Sequence, residues 1–533
     1  MTSTVWIAVG FLAVLFLVKG IKDSKRDPKM PPGPPGLPLL GNVHELPLSK
    51  SYLKMLEWSR TYGDIYSLKL GSATVIVLSS ADVVTELFEK RGAIYSSRPG
   101  SYLANELLCP NDTHLLLMSY GPAWRHLRKA FMSVLNISTV QTLRTLQKNE
   151  ATQTMKDLCD TPERFSQHIR RYATGVILSS VFGMRAESFD DPNVKEIYRV
   201  QDQFSEILEP GNTPPVDAFP LLKYVPTSLA GWKQRAAAVY KGQHDLYHGL
   251  LSGTKRRISN TGYVNCFMDR LLSDEEMAKH NLDDEHLAFL GGVMMEAGSD
   301  STSSTLLSFI LAMMKFPHVL KKLQAEVDTV CGDERAPTFE DMAELPYVQA
   351  CVFETMRWRP AVPAAFPHVL TQDDWYNGYF LPKGSMVIAN VMAIHQNPDD
   401  YENPSEYMPE RYYKNGHGLK AGKVADPGRR SVYTFGAGRR VCPGMHLGEN
   451  SLRINMARLA WGFDILPPLD PVTGKEVPRD AIPVDVKSAY TDGVSSGPKD
   501  YKCRIVPRSA KHVEIMKRDL ALAGPELDQY RKQ

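Results

Sequence analysis

Between Asp283 and Pro317 the chain reads DDEHLAFLGGVMMEAGSDSTSSTLLSFILAMMKFP, more than thirty residues without an internal proline. Such a run predicts one helix from Asp283 or Asp284 to the stop at Pro317, about three times the mean helix length. A helix this long and apolar either spans a membrane or crosses a large core. Glu296, Asp300 and six nearby hydroxyls (Ser299, Ser301, Thr302, Ser303, Ser304, Thr305) would be costly in lipid. The reading is therefore a central core helix with a polar break at AGSDST. Gly298 lacks a side chain, so another group could approach the backbone there, and mid-helix Ser and Thr can bond back to carbonyls and bend the helix. A partly exposed polar turn is the alternative for this segment.

The rest of the chain has the means to surround such a helix. It has 533 residues, 43% of them hydrophobic, which allows two or three average domains or one large one. A net charge of +2 does not suggest a nucleic-acid binder. The seven cysteines (Cys109, Cys159, Cys266, Cys331, Cys351, Cys442, Cys503) are scattered and odd in number. That is poor material for a disulfide framework or a structural zinc site and fits mostly buried thiols in a reducing compartment.

The first twenty residues, MTSTVWIAVGFLAVLFLVKG, carry no charge before Lys19, and five cations then follow in KGIKDSKRDPK. This predicts a transmembrane anchor over residues 1–20, with the body on the cytosolic side because the cations lie C-terminal to it. A cleavable signal is disfavoured by the missing positive start and cleavage site. Residues 21–42 read as a basic and Pro-rich linker. PPGPPG, at Pro31–Gly36, cannot be helical and suggests a stiff extended spacer, with a partner-binding Pro-rich segment as the rival.

Residues 43–533 read as a single large domain, since no linker-like stretch divides them. IYSLKLGSATVIVLSS, at 65–80, predicts a hairpin turning at Gly71 and Ser72. SSADVVTELFEKRG predicts a helix with a serine cap at its front and Gly92 at its end. Helical periodicity dominates to about residue 350, short β pieces follow in WYNGYFLPKGSMVIANVMAIHQNP, and helix returns after Cys442. The fold class is mainly α with small β-sheets around the long central helix.

Three constellations carry chemistry. ETMR places Glu354 and Arg357 on one helix face, able to pair, although a surface ion pair would need nothing more. WRHLRKAF places Trp124 and Arg128 one turn apart, where an indole and a guanidinium can stack without a ligand. FGAGRRVCPG, Phe435 to Gly444, sets a single thiol in a glycine-rich loop with Arg440 two residues before it. The glycines allow amides to point at the sulfur, and Arg440 would favour the thiolate. Cys442 could be an iron ligand, a catalytic nucleophile or a buried inert cysteine.

Taken together these segments resemble the cytochrome P-450 family of haem-thiolate monooxygenases. FGAGRRVCPG matches the family's cysteine loop at Phe435, Gly438, Arg440, Cys442 and Gly444. AGSDS matches its oxygen-activation segment, ETMR its Glu-x-x-Arg pair, PERY at Pro409–Tyr412 the segment before the cysteine loop, and WRHLR its Trp-x-x-x-Arg segment, all in the family's order. The anchor and PPGPPG resemble microsomal members, and NPDDYENPSEYMPERYYKNG is most similar to fungal secondary-metabolism enzymes.

The resemblance implies a haem-thiolate monooxygenase domain with haem b as cofactor and Cys442 as its iron ligand. Trp124, Arg128, His368 and Arg440 would meet the haem propionates, His368 because PHVLTQDD stands where the family places such a residue. Ala297, Gly298 and Phe435 would lie against the haem, and Glu354 and Arg357 would pair with Arg411. Asp300, Ser301 and Thr302 would be catalytic. Here the acid is followed by Ser301 rather than the family's more frequent Thr, so either Ser301 or Thr302 would supply the hydroxyl.

The implied reaction inserts one oxygen atom from O2 into a hydrophobic small molecule, a secondary metabolite. Electrons would come from NADPH through a separate reductase, with cytochrome b5 as a further partner; Arg125 and Lys129 could dock an acidic reductase or form a solvated charge face. The implied location is the endoplasmic reticulum membrane. The alternatives are a haem-thiolate isomerase or dehydratase needing no O2, and a non-catalytic haem-binding protein. The substrate pocket would draw on the loop before Trp124, GNTPPVDAFP, Phe289 to Ala297, Ala361 to Pro367 and SAYTDGV.

Overall fold

The Asp283 side chain caps the central helix by accepting a hydrogen bond from the His286 amide at 2.9 Å. Asp284 and Glu285 follow in the first turn, where carboxylates oppose the positive end of the helix dipole. The helix then runs 32 residues, Asp284–Lys315, to a stop at Phe316. It is buried from Leu287 to Met295 and from Ser303 to Met314, so it crosses the core. The computed structural model describes residues 6, 11, 14, 18–209, 211–217, 219–273, 275, 280 and 282–531.

At AGSDST the burial is interrupted, as expected of a polar break, while the helix stays continuous through it. The reason is local: the hydroxyls of Ser299, Ser301 and Thr305 donate back to the carbonyls of Met295, Ala297 and Ser301, and the ladder persists beneath them. Gly298 also answers to packing. A Cβ there would stand 2.5 Å from Ile177 Cδ1, on the helix Phe165–Phe182 that lies against the central helix.

Further helices wrap this pair. Pro122–Leu135, Arg144–Asp160, Pro192–Leu208 and Gly231–Thr261 precede the central helix, and Pro317–Cys331, Pro346–Trp358, Met445–Gly462 and Ala510–Asp528 follow it. The Pro317–Cys331 helix turns away by 107°. Among the described residues no single helix is long and apolar enough to cross a membrane. The expected anchor, residues 1–20, falls mostly outside the described residues.

The β structure is small. Strands β1 (Ile65–Leu70), β2 (Ala73–Leu78), β3 (His368–Val369) and β6 (Met386–Ala389) form one sheet in the order β1-β2-β6-β3, with β2 and β6 parallel. β4 (Asp374–Tyr376) pairs with β5 (Tyr379–Leu381), and β7 (Phe463–Leu466) with β8 (Arg504–Pro507). The hairpin turns at Gly71 and Ser72. The helix after it starts at Ala81 under the Ser80 cap and widens to a π register over Thr85–Lys90.

The Pro-rich stretch departs from its reading as a spacer. Ser67 of β1 donates its amide to the Pro32 carbonyl at 2.7 Å and its hydroxyl to the Pro31 carbonyl at 2.6 Å. Asn42 Nδ2 reaches the Pro34 carbonyl, and its Oδ1 accepts the Lys69 amide at 2.9 Å. Prolines cannot donate, but their carbonyls accept, so the segment lies along the sheet edge as part of the folded body.

The ETMR pair is also not a surface feature. Glu354 and Arg357 are fully buried, with Arg357 Nη2 donating to Glu354 Oε1 at 2.8 Å and Arg411 Nε 3.1 Å from Oε2. The Met408 amide adds a donor to Glu354 at 2.7 Å, and Arg357 also reaches the carbonyls of His395, Pro404 and Glu406. The two buried guanidiniums thus share one carboxylate, and carbonyls take most of their remaining donors.

Candidate active site

A cavity of about 380 Å³ lies between the cysteine loop and the central helix. Its lining includes Trp124, Arg128, Ala297, Gly298, Asp300, Ser301, Thr302, His368, Phe435, Arg440 and Cys442, so every expected site residue borders one space.

The loop is shaped by its glycines and one closing bond. The Cys442 amide donates to the Phe435 carbonyl at 2.8 Å, joining the two ends. Gly438, at φ +66°, passes so close to the Thr85–Lys90 turn that a Cβ would lie 2.1 Å from the Phe88 carbonyl oxygen. No other residue fits both conditions. Burial pushes the Cys442 thiol above its usual range, while the Gly444 amide and the Arg128 guanidinium draw it back. The sulfur is thus shielded from bulk water but open to the cavity, a setting for a soft ligand to a metal rather than for an inert core thiol.

Opposite the thiol stands the turn Ala297–Thr302. The Ser301 hydroxyl donates to the Ala297 carbonyl at 2.6 Å, whereas Thr302 makes no side-chain hydrogen bond among the described residues. Asp300 is half-buried, and the Ser304 hydroxyl reaches its Oδ1 only at 3.5 Å. Its charge is felt by Asp202, whose carboxyl is raised chiefly by burial and further by Asp300, against the pull of Arg170.

One edge of the cavity is strongly cationic. Arg440 lies with Cζ 4.2 Å from the Trp124 ring centroid and donates to the carbonyls of Ser96 and Met118 at 2.8 and 2.6 Å. Arg128 donates to the Val441 carbonyl at 2.6 Å. Arg98, which the sequence reading missed, donates to the carbonyls of Phe366 and Pro367, each at 2.8 Å. A bridge between Ser97 and Val369 of β3 brings this arginine beside His368. In sequence Arg98 sits in a short SSRPG loop with no periodicity or spacing to mark it.

Among the described residues no carboxylate forms an ion pair with Arg98, Arg128 or Arg440. Burial lowers all three, Arg98 and Arg440 to about 9, and for Arg440 the neighbouring Arg98 and Arg128 deepen the effect. His368 is lowered to about 3 by burial and by Arg98. Its Nδ1 donates to the Tyr95 carbonyl at 2.6 Å, and its ring stacks on Phe88 at 4.2 Å. Trp124 Nε1 is buried with no hydrogen-bond partner. Arg98 is buried and Arg128 and Arg440 are half-buried, and three partly desolvated cations without a carboxylate make this an edge built for an anion.

The residues therefore fit haem b. Its two carboxylates supply the negative charge the edge lacks and an acceptor for Trp124, and its iron suits a thiolate. A carboxylate there would also oppose Arg98 and so draw His368 back up, against the larger effect of burial.

The comparisons agree with the geometry. The family described as Cytochrome P450 matches residues 31–478. The chain is 40% identical to the cytochrome P450 monooxygenase macC of Penicillium terrestre, covering 97% of this chain and 96% of that one. It is 41% identical to the cytochrome P450 monooxygenase yanC of Aspergillus niger, over 99% and 98% of the two chains. Identity to the cytochrome P450 monooxygenase patH of Penicillium expansum is 37%, over 97% and 96%. With a thiol opening on the cavity, an anion-seeking edge and this whole-length similarity, the chain belongs to the cytochrome P450 family of haem-thiolate monooxygenases.

Proposed function

We propose that the protein inserts one atom of O2 into a hydrophobic secondary metabolite, with Cys442 as the iron ligand and Arg98, Arg128, Arg440, His368 and Trp124 as the propionate contacts. The observation that carries this reading is the placement of Cys442 and the uncompensated arginines on one cavity, across from Asp300, Ser301 and Thr302. Bound haem supplies the activation of dioxygen, with electrons from NADPH through a reductase.

The chain's own residues do the rest. Gly436, Gly438 and the Cys442–Phe435 bond hold the sulfur in place. Asp300 accepts a proton from the solvent side of its helix turn, and the Thr302 hydroxyl, uncommitted to another bond, passes it into the cavity. Ser301 is engaged with Ala297 and holds that turn. Val293, Ala297, Ala361, Val362 and Val494 give the cavity an apolar wall that excludes water and receives a hydrophobic substrate.

Arg125 and Lys129 are exposed on the outer face of the helix that carries Trp124 and Arg128. Their charge supports docking of an acidic reductase surface, and of cytochrome b5, close to the haem. The uncharged start and the cations from Lys19 to Lys29 support a single-pass anchor in the endoplasmic reticulum membrane, with the domain on the cytosolic side.

The test is the absorption spectrum of the reduced, carbon-monoxide-bound protein, for wild type and Cys442→Ala. A thiolate-type Soret band in wild type that disappears in the variant is expected. The same band in both, or no haem in either, would overturn the reading.

A further inference from the structure

Glu296 places a carboxylate in the wall of a mainly apolar cavity, and three side chains converge on it. Its Oε1 accepts from the Tyr247 hydroxyl and, at 2.8 Å, from Gln243 Nε2. Its Oε2 lies 3.2 Å from His114 Nε2. Gln201 Nε2 donates to the Glu296 backbone carbonyl at 2.9 Å and steadies the same turn. Burial and the nearby Glu296 charge hold the Tyr247 hydroxyl well above its usual range, so it stays a donor. None of these groups serves the cysteine loop or the cationic edge.

The arrangement fixes the imidazole. A carboxylate only accepts, so Nε2 carries a proton, and in the neutral ring Nδ1 is then a bare acceptor. His114 is 2% exposed and lines the cavity, and among the described residues its Nδ1 has no hydrogen-bond partner. The ring is held against Phe204, with centroids 5.7 Å apart and planes at 19°. A buried acceptor left unmet is costly, and it therefore discriminates strongly for a ligand that donates to it.

We propose that His114, oriented by Glu296, forms a binding subsite for a hydroxyl group, and that the substrate is a compact apolar molecule carrying that hydroxyl. The hydroxyl donates to His114 Nδ1, and the carbon skeleton extends along the apolar wall toward Ala297. The subsite rests on the monooxygenase reading only for which end of the substrate reacts.

The experiment uses the haem-loaded protein, its loading checked by the carbon-monoxide spectrum, and calorimetric binding of three probes: 2-naphthol, 2-methoxynaphthalene and 2-acetylnaphthalene. Wild type should bind the naphthol at least about tenfold more tightly than the ether or the ketone. His114→Phe keeps the ring stack and should bring the naphthol to within about twofold of the ether, with the ether's own affinity little changed. Glu296→Gln frees the tautomer and should also reduce the preference.

Equal binding of naphthol and ether by wild type, tightest binding of the ketone, or a preference that survives in His114→Phe would each overturn the subsite. These results are independent of the spectrum. A missing thiolate band would overturn the monooxygenase reading and leave the probe ranking to judge the subsite alone.

Discussion

Two clusters of arginines, one enclosed in the core and one half-buried on the cavity, serve opposite ends. Around Glu354 the charges of Arg357 and Arg411 meet a carboxylate supplied by the chain itself, and further donors of both find backbone carbonyls. Around Arg440 the cations of Arg98 and Arg128 gather with no carboxylate among the described residues, and Trp124 Nε1 has no acceptor. The first cluster stabilises the fold wherever the protein is, whereas the second is satisfied only by a ligand. Burial alone therefore does not tell a structural arginine from a cofactor-binding one. The presence or absence of its anion does.

The comparison breaks most visibly at Glu354. Glu354→Gln leaves two buried guanidiniums without charge balance, and should destabilise the protein by about 3–5 kcal/mol. Denaturant unfolding should give the same loss with and without haem. A loss confined to the haem-loaded form would place this cluster with the cofactor instead.

Acid separates the clusters next. His395, whose carbonyl accepts from Arg357, and His368, at the cationic edge, are both lowered to about 3, each chiefly by burial. Both are neutral in the fold but titrate near 6.5 in the unfolded chain, so each contributes stability above about pH 6.5 that is lost as pH falls toward 3. The loss per histidine is about 1.4 kcal/mol per pH unit in that window. Haem should relieve the part due to His368 and leave that due to His395. His368→Gln and His395→Gln, compared by unfolding between pH 6 and 4 with and without haem, check the assignment.

Arg128→Gln should do the reverse of Glu354→Gln. It removes a charge-assisted contact worth about 1.5–3 kcal/mol to an anion, so haem should be lost roughly tenfold to a hundredfold faster in a transfer assay. Unfolding of the haem-free form should be no easier and should shift toward greater stability, since the uncompensated cation is removed and Gln can keep a donor to Val441. The smallest effect belongs to Trp124→Phe, which keeps a ring beneath Arg440 and deletes one donor. Haem loss a few-fold faster and an unaltered haem-free stability are expected.

Much of this was legible in the residues. The central helix announced itself by length and by its Asp283 cap, and the cysteine loop by Gly438 and Gly444 around Cys442. Arg98 was not legible, because it joins the site only when β3 pairs with β6 and draws His368 beside the Ser97 strap. His114 and Glu296 were hidden for the same reason, being 182 residues apart and joined across the cavity. The Pro-rich stretch misled because composition reports what prolines cannot donate, not which carbonyls a strand will use.

The sequence by itself determined the local chemistry: a lone thiol in a loop that only glycine permits, a long helix with an acid and hydroxyls at its middle, and cations at helical spacing. Tertiary structure decided which charges have partners. That depends on distances between segments far apart in the chain, and the energy of a buried charge turns on those distances rather than on the residue's identity.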